Sequence, residues 1–454
     1  MIYKLAKKTL IEIEDFVELI NRQDYAEKLK SIIEDIKENR TKSIIRLSGI
    51  PICYFKRNIG KYRFIDYLLM TRNNNAGRNG YQEGNCRDCL YVDYCKFSYS
   101  DQEILKRALS PIENLPEEIS IEVTGDCNLD CEFCFQRYDN TLKNKNIFIV
   151  PETVYNILSI CNDYGIKRVR FSGGEPLLHE NILDFMKTAK LKGLKVVLST
   201  NSLLIDRSFA EKLVKHVDQF EIPILDHAGR LDGFSGNMQQ KKIKAVKYLY
   251  DEIKKQKLEK KEFRANTVLT SENYRNLNFI YKLIKDLKFT SWGINRLVPA
   301  ERDTWFPTEN EIGHIVNTVY KLKKKEKTMF IDHGNGLPFC CCNPLIMDYT
   351  SVGTYWENCR NRIFIDPRGY IKPFYYDSKY LGEIQGVDSV IKAWKDPYVS
   401  RFREGLAVPE VCKNCFFQFK CGGGNRFCAY KQFNDYQAED ILYNRENVRD
   451  YYYV

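Results

Sequence analysis

Between residues 116 and 325 the chain repeats one unit six times: a short apolar run of strand length, then an amphipathic helical run. The strand-like runs are Glu118–Val123, Arg168–Phe171, Leu194–Ser199, Gln219–Ile224, Phe263–Leu269 and Ser291–Leu297. The helical runs are Pro151–Asn162, Asn181–Leu191, Phe209–His216, Gln239–Lys254, Tyr274–Asp286 and Glu309–Lys323. This alternation predicts a parallel sheet covered by helices. Right-handed crossovers curl such a sheet into a barrel or part of one. The expected fold class is therefore α/β. In such barrels the chemistry sits at the C-terminal ends of the strands.

Three cysteines follow the first strand, in Thr124-Gly-Asp-Cys-Asn-Leu-Asp-Cys-Glu-Phe-Cys-Phe135. The spacing of Cys127, Cys131 and Cys134 is C-x3-C-x2-C. Three thiolates this close can each hold one iron of a cubane [4Fe–4S] cluster, which leaves the fourth iron open to a small molecule. A zinc knuckle or three buried thiols are the alternatives. The downstream motifs favour the open iron. Phe171-Ser-Gly-Gly-Glu-Pro-Leu177 ends the second strand and Leu198-Ser-Thr-Asn-Ser202 ends the third.

These three motifs, in this order, resemble the radical SAM superfamily over residues 116–325. The resemblance implies a partial (β/α)6 barrel. It implies a [4Fe–4S] cluster on Cys127, Cys131 and Cys134, with S-adenosylmethionine (SAM) chelating the open iron. It implies a 5′-deoxyadenosyl radical that abstracts hydrogen from a substrate. Gly173 and Gly174 give the tight turn and close approach that a side chain would block. By resemblance Glu175 and its neighbouring backbone hold the SAM ammonium, Ser199 and Asn201 meet the ribose or carboxylate, and Phe133 lies by the adenine. Asn266 and Arg296, on later strands, match further site-lining positions.

The C-terminus resembles the SPASM extension, which adds auxiliary iron–sulfur clusters. The carrying residues are Cys412, Cys415 and Cys421, spaced C-x2-C-x5-C and followed by Gly-Gly, with Cys359 and Gly369 upstream. Phe374 and Asn425 stand where that family has cysteines. The first auxiliary cluster is thus expected to be absent or built differently, with Cys340-Cys-Cys342 as a substitute source of ligands. Cys428 is the nearest candidate for the fourth ligand of the second. Cys86, Cys89 and Cys95 repeat the C-x2-C-x5-C spacing and suggest a further cluster or a zinc site, with Cys53 or one of Cys340–Cys342 as fourth ligand. The domains expected are an N-terminal mixed domain, 1–115, able to grip a peptide; the barrel, 116–327; and the auxiliary domain, 328–454. In the first region Ile11–Ile20 and Tyr25–Lys37 read as helices and Ser43–Ile52 as a strand.

A radical SAM core with this tail implies a peptide- or protein-modifying enzyme, here a maturase of a ribosomally made peptide that forms a crosslink or an oxidation. The partners expected are a precursor peptide or protein and a low-potential electron donor such as ferredoxin or flavodoxin. Tyr375, Tyr376 and Asp377 are the candidate catalytic side chains. A dehydrogenase or mutase acting on a small molecule is the alternative enzyme. An iron–sulfur electron-transfer or scaffold protein is the non-enzymatic one. The net charge is +10. Its lysine runs read as solvated helix faces rather than as a nucleic-acid surface. The sixteen cysteines are clustered, which favours metal ligation over disulfides. The N-terminus has no signal-peptide pattern and no apolar run spans a bilayer, so a cytoplasmic protein without a membrane partner is expected.

Overall fold

The computed structural model describes residues 9–12, 45–48 and 65–67, and from 115 onward all but 132–133, 135–145, 226–236, 260, 298–307, 335, 355–358, 376, 378, 404–406, 414 and 452–454. The chain divides into two units. One comprises residues 1–114, 413–420 and 449–454, and the other residues 115–412 and 421–448.

In the first unit β1 (Thr9–Glu12), β2 (Ile45–Ser48) and β3 (Ile65–Tyr67) form a parallel sheet in the order β1-β2-β3. β2 falls inside the expected strand. β1 overlaps the start of the expected helix Ile11–Ile20, which is a correction. Thr9 and Ile11 are β-branched, and Ile11 pairs with Leu47, so strand pairing overrides the helical spacing there. The expected helix Tyr25–Lys37 lies outside the described residues.

The second unit holds the α/β fold. Its strands are β4 (Glu118–Glu122), β5 (Arg168–Ser172), β6 (Lys195–Ser199), β7 (Gln219–Pro223), β8 (Glu262–Leu269), β9 (Ser291–Arg296), β10 (Phe330–His333), β11 (Arg362–Ile365) and β12 (Ile371–Lys372). The sheet order is β10-β9-β8-β7-β6-β5-β4-β11-β12, and every pair is parallel except β11–β12. The order is linear, so the sheet remains an open barrel. Six helices alternate with the strands: α1 (Pro151–Asp163), α2 (Ile182–Leu191), α3 (Arg207–His216), α4 (Asn237–Lys255), α5 (Leu277–Asp286) and α6 (Glu309–Lys325). The six expected units are all present, and the C-terminal region adds three strands: β10 beside β9, and β11 then β12 beyond β4.

Side chains alternate between the two sheet faces. One set is apolar and packs under the helices. Phe171 stacks on Phe185 of α2 with ring centroids 6.3 Å apart, and Tyr250 of α4 stacks on Phe263 at 4.3 Å. The other set is charged and lines the concave face. Arg170 Nε meets Glu118 Oε1 at 2.8 Å, and its other arm pairs with Glu221. Arg168 and Arg362 also pair with Glu118, at 3.0 and 2.8 Å. Arg264 meets Asp332 at 2.7 Å. Burial alone would raise the carboxylate pKa values, but Arg170 and the other arginines reverse this and hold both Glu118 and Glu221 at about 2.

Both carboxylates therefore titrate below their ordinary value of 4.5. Their contribution to stability is complete above pH 4.5 and is lost as the pH falls toward 2. Denaturant unfolding across that window is expected to show this loss. Arg170→Met, which removes the one arginine that two buried carboxylates share, is expected to cost about 3–5 kcal/mol at neutral pH and to flatten the acid dependence. An unchanged acid profile in that variant would refute the assignment.

Candidate functional site

The cysteine loop leaves β4 and is pinned at once. Thr124 Oγ1 donates to Ile147 O at 2.9 Å and accepts from Asp126 N at 3.0 Å. The glycine turn after β5 then closes on the loop's backbone: Gly174 N donates to Thr124 O at 2.8 Å and Glu175 N to Asp126 O at 2.7 Å. A Cβ on Gly173 would lie 2.3 Å from Thr124 O, and one on Gly174 would lie 2.0 Å from Asp126 O. Gly173 also has φ +125°, a conformation costly for any side chain. The two glycines were expected to admit a close approach. The partner that approaches is the cysteine loop itself.

Glu175 joins this pair of motifs to the third. Its fully buried carboxylate accepts from Thr200 Oγ1 at 2.7 Å, Leu177 N at 3.0 Å and Asn201 N at 2.8 Å. Asn201 Nδ2 in turn donates to Asn128 Oδ1 at 2.7 Å and points at Cys127 Sγ at 3.8 Å. The three motifs thus form one hydrogen-bonded body at the C-terminal edge of β4, β5 and β6. Burial raises the Glu175 pKa to about 7, and the three hydrogen bonds offset only part of that rise. These hydrogen-bond partners are all neutral, so a cationic ligand nearby would stabilise the carboxylate. A molecule with an ammonium group fits this requirement.

Cys127 Sγ accepts from Leu129 N at 3.4 Å, while burial pushes the thiol up to about 11, reinforced by Glu175 and Cys134. A bound metal reverses this balance, because it holds the sulfur as thiolate. Cys134 N donates to Cys131 O at 3.1 Å, which folds the second and third cysteines into one turn. The loop chemistry fits an iron–sulfur cluster. Among the described residues no three Cys, His, Asp or Glu side chains already converge as a metal site. Phe133, Tyr376, Cys53, Cys86, Cys89 and Cys95 lie outside the described residues.

Below the clasp the concave face continues. Ser199 Oγ accepts from Arg170 at 2.9 Å and contacts Glu221. Asn266 donates to Glu221 at 3.3 Å and accepts from Arg264 at 3.2 Å. Tyr375 reaches in from the C-terminal region, its hydroxyl 2.7 Å from Ser120 Oγ and 3.2 Å from Ser172 Oγ. Arg296 does not join them, which corrects the expected site-lining role. The alternation along β9 sends it to the other face, where it is buried against Asp440 at 2.6 Å. Asn295 takes the concave position instead, close enough that a Cβ on Gly334 would meet its Oδ1 at 2.1 Å. Asp377 is buried and accepts from Tyr398 at 2.7 Å and Tyr436 at 3.3 Å. It sits within a tyrosine cluster, apart from the clasp in its bonding. Sequence reasoning missed Glu118, Arg170, Glu221, Arg264 and Asn295. Their signal was the period-two polar alternation inside each strand.

In the C-terminal region Cys421 Sγ accepts from Phe339 N at 3.3 Å, and the amides of Gly423 and Gly424 also point at it. Converging N–H donors suit a thiolate. Cys359 lies at φ +53° with its thiol directed at Pro373 O, 3.6 Å away. Cys340 is buried, and its carbonyl accepts from Asn447 at 2.9 Å. Cys428 is buried in the helix Arg426–Phe433. Cys412 lies in the same unit as these cysteines, whereas Cys415 falls in the other unit, where its carbonyl accepts from Gln418 N at 3.0 Å.

Residues 121–287 match the family described as "Radical SAM superfamily". The chain is 22% identical over 352 residues to a PqqA peptide cyclase from Granulibacter bethesdensis, spanning 72% of this chain and 86% of that protein. It is 23% identical over 351 residues to an AdoMet-dependent heme synthase from Nitratidesulfovibrio vulgaris, spanning 71% and 91%. Its fold is similar to that of Streptococcus suis SuiB bound to the precursor peptide SuiA, with a TM-score of 0.55 and 17% identity over 76% of this chain and 84% of that one. Residues 121–287 thus carry a radical SAM domain, a family whose members use a [4Fe–4S] cluster and SAM. No helix among the described residues is long and apolar enough to cross a membrane.

Gly174→Ala is expected to lower stability by about 1–3 kcal/mol and to reduce the iron retained after anaerobic reconstitution, because the clash is with loop backbone. Gly313→Ala, with open space at its Cβ on α6, is expected to be neutral or stabilising by up to about 1 kcal/mol. Thermal unfolding and iron analysis of the pair check both statements.

Proposed function

We propose that this chain is a radical SAM enzyme that modifies a peptide or protein side chain, as a maturase of a ribosomally made peptide. The observation that carries the reading is the Glu175–Asn201–Asn128 clasp. It fastens the cysteine loop to the glycine and Ser199–Asn201 motifs at the strand ends. With cluster and SAM bound, the site supplies a one-electron reductive cleavage that yields a hydrogen-abstracting 5′-deoxyadenosyl radical. The chain's own part is to hold and enclose these groups. Cys127, Cys131 and Cys134 hold the cluster. Glu175 with its neighbouring backbone, Ser199 and Asn201 hold SAM, with Phe133 at the adenine. The carboxylate of Glu175, near neutrality in pKa, becomes fully ionised beside an ammonium group.

A peptide substrate is supported by the linear strand order of the sheet, whose first and last strands, β10 and β12, are not paired with each other. It is supported also by the similarity to a peptide cyclase and to a fold seen with a precursor peptide. Asn266 and Tyr375 line the concave face such a chain would reach. An auxiliary iron–sulfur centre in the C-terminal region would accept the electron that a crosslinked product radical must lose. A low-potential ferredoxin or flavodoxin would supply the first electron. The 1–115 region would bind the peptide, with Cys86, Cys89 and Cys95 holding a further metal. The heme synthase similarity supports a second reading, a small-molecule substrate.

Anaerobically reduced protein is expected to convert SAM to 5′-deoxyadenosine, with Cys127→Ala abolishing the reaction. Glu175→Gln is expected to weaken SAM binding roughly tenfold, the loss of one charge-assisted contact of about 1.5 kcal/mol. Precursor peptides should accelerate the cleavage. Acceleration by a tetrapyrrole and by no peptide would favour the second reading, and no cleavage under any condition would overturn both.

A further inference from the structure

Across the sheet from the cysteine loop, β8, β9 and β10 carry polar side chains that the clasp does not use. Arg264 lies along this part of the concave face. Its Nε donates to Asn266 Oδ1 at 3.2 Å and its Nη2 to Asp332 Oδ1 at 2.7 Å. Two glycines make room for it. A Cβ on Gly293 would lie 2.2 Å from Arg264 Nη2 and 2.8 Å from Asn266 Oδ1. A Cβ on Gly334 would lie 2.1 Å from Asn295 Oδ1 and 3.5 Å from Arg264 Nη2. Neither glycine has a positive φ, so the backbone conformation does not call for glycine at either position. What the two supply is space: the guanidinium and the Asn295 carboxamide lie side by side, close against the sheet.

Two groups on this shelf are left over. Arg264 is 18% exposed, and its Nη1 has no hydrogen-bond partner among the described residues. Asn295 is half-buried, and its carboxamide has none among them either. Covering a polar group costs free energy unless a hydrogen bond replaces the lost water. A ligand seated on this face must therefore offer partners to both. The chemistry of the shelf narrows what that ligand is. Arg264 already faces two carboxylates, Asp332 and Glu221. A third carboxylate would meet their repulsion, whereas a neutral carbonyl accepts from Nη1 without it. Asn295 presents a donor and an acceptor together. In an extended chain the N–H and C=O of one residue point to the same side, the pair that neighbouring strands exchange. A carboxamide matches that pair.

We propose that Asn295 anchors the main chain of an extended peptide substrate, its carboxamide pairing with the N–H and C=O of one residue while Arg264 Nη1 donates to a carbonyl alongside. This rests on the reading that the substrate is a peptide. Contacts to the main chain do not read side chains, so anchoring at this point is independent of peptide sequence. Gly293 and Gly334 act through Arg264 and Asn295, by keeping both down on the sheet.

The test uses the full chain, anaerobically reconstituted and loaded with SAM, and a fluorescein-labelled mixture of random-sequence dodecapeptides. A second mixture carries a methyl group on every backbone nitrogen, which removes the N–H donors and keeps the side chains. The unaltered chain is expected to bind the first mixture roughly tenfold more tightly than the second. Asn295→Ala should bind the first mixture roughly tenfold more weakly and lose most of that preference. Asn295→Asp, which keeps the size and removes the donor, should do the same. Iron content and SAM affinity in both variants should match the unaltered chain, which shows that the clasp is intact. Equal affinity of the variants and the unaltered chain for the first mixture overturns the proposal. So does equal affinity of the unaltered chain for both mixtures, or a loss of SAM affinity in place of peptide affinity. Absence of binding by the random mixture also overturns it, and if a tetrapyrrole binds instead, the peptide reading falls with it.

Discussion

The Glu175 carboxylate is the joint on which the candidate site depends. It takes three donors from two segments, and through Asn201 it reaches the loop that carries the cysteines. A buried carboxylate among neutral donors is held at an electrostatic cost, visible in its elevated pKa. The fold sustains that cost because the glycine turn before it is locked to the cysteine loop by backbone hydrogen bonds. Geometry is imposed by backbone and glycine, while affinity for a cation is stored in the carboxylate. A ligand with an ammonium group relieves the cost, which makes the ligand part of the site's own stability.

The concave face extends the same logic in a different chemistry. An apolar barrel interior would have no business with an extended polar chain. Here the interior is a lattice of arginines and carboxylates, anchored by Arg170 between Glu118 and Glu221. The lattice is mutually satisfied at its base, and Asn266, Asn295 and Tyr375 carry it upward. What joins its strands on this face is charge pairing.

The barrel was legible because strand and helix periods differ and because six units repeat. The expected strand boundaries fall within a residue of β4 to β9. The added strands β10 and β11 were not legible. Phe330–His333 and Arg362–Ile365 are short, and only their pairing partners from other parts of the chain make them strands. The motifs placed the site, since each stood at a strand end. The face Arg296 adopts was legible in the alternation Ser291, Gly293, Asn295 against Trp292, Ile294, Arg296, but the resemblance to a site-lining position pointed the other way. The opposite lesson comes from Gly173 and Gly174. The sequence indicated a close approach, yet only coordinates identify Thr124 and Asp126 as what approaches.

The pairing of β11 with β4 has a consequence for how the protein is made. β4 carries the cysteine loop, and its register with β11 sets Ile121 opposite Ile365. During synthesis the earlier strands emerge first, at about 5–20 residues per second. Until residue 365 leaves the ribosome, β4 lacks its β11 partner, and the three cysteines follow directly after it in the chain. An unpaired edge is a template for association with other chains. A nascent or truncated chain that lacks β11 therefore leaves the edge of β4 without this pairing, next to the loop that carries the three cysteines.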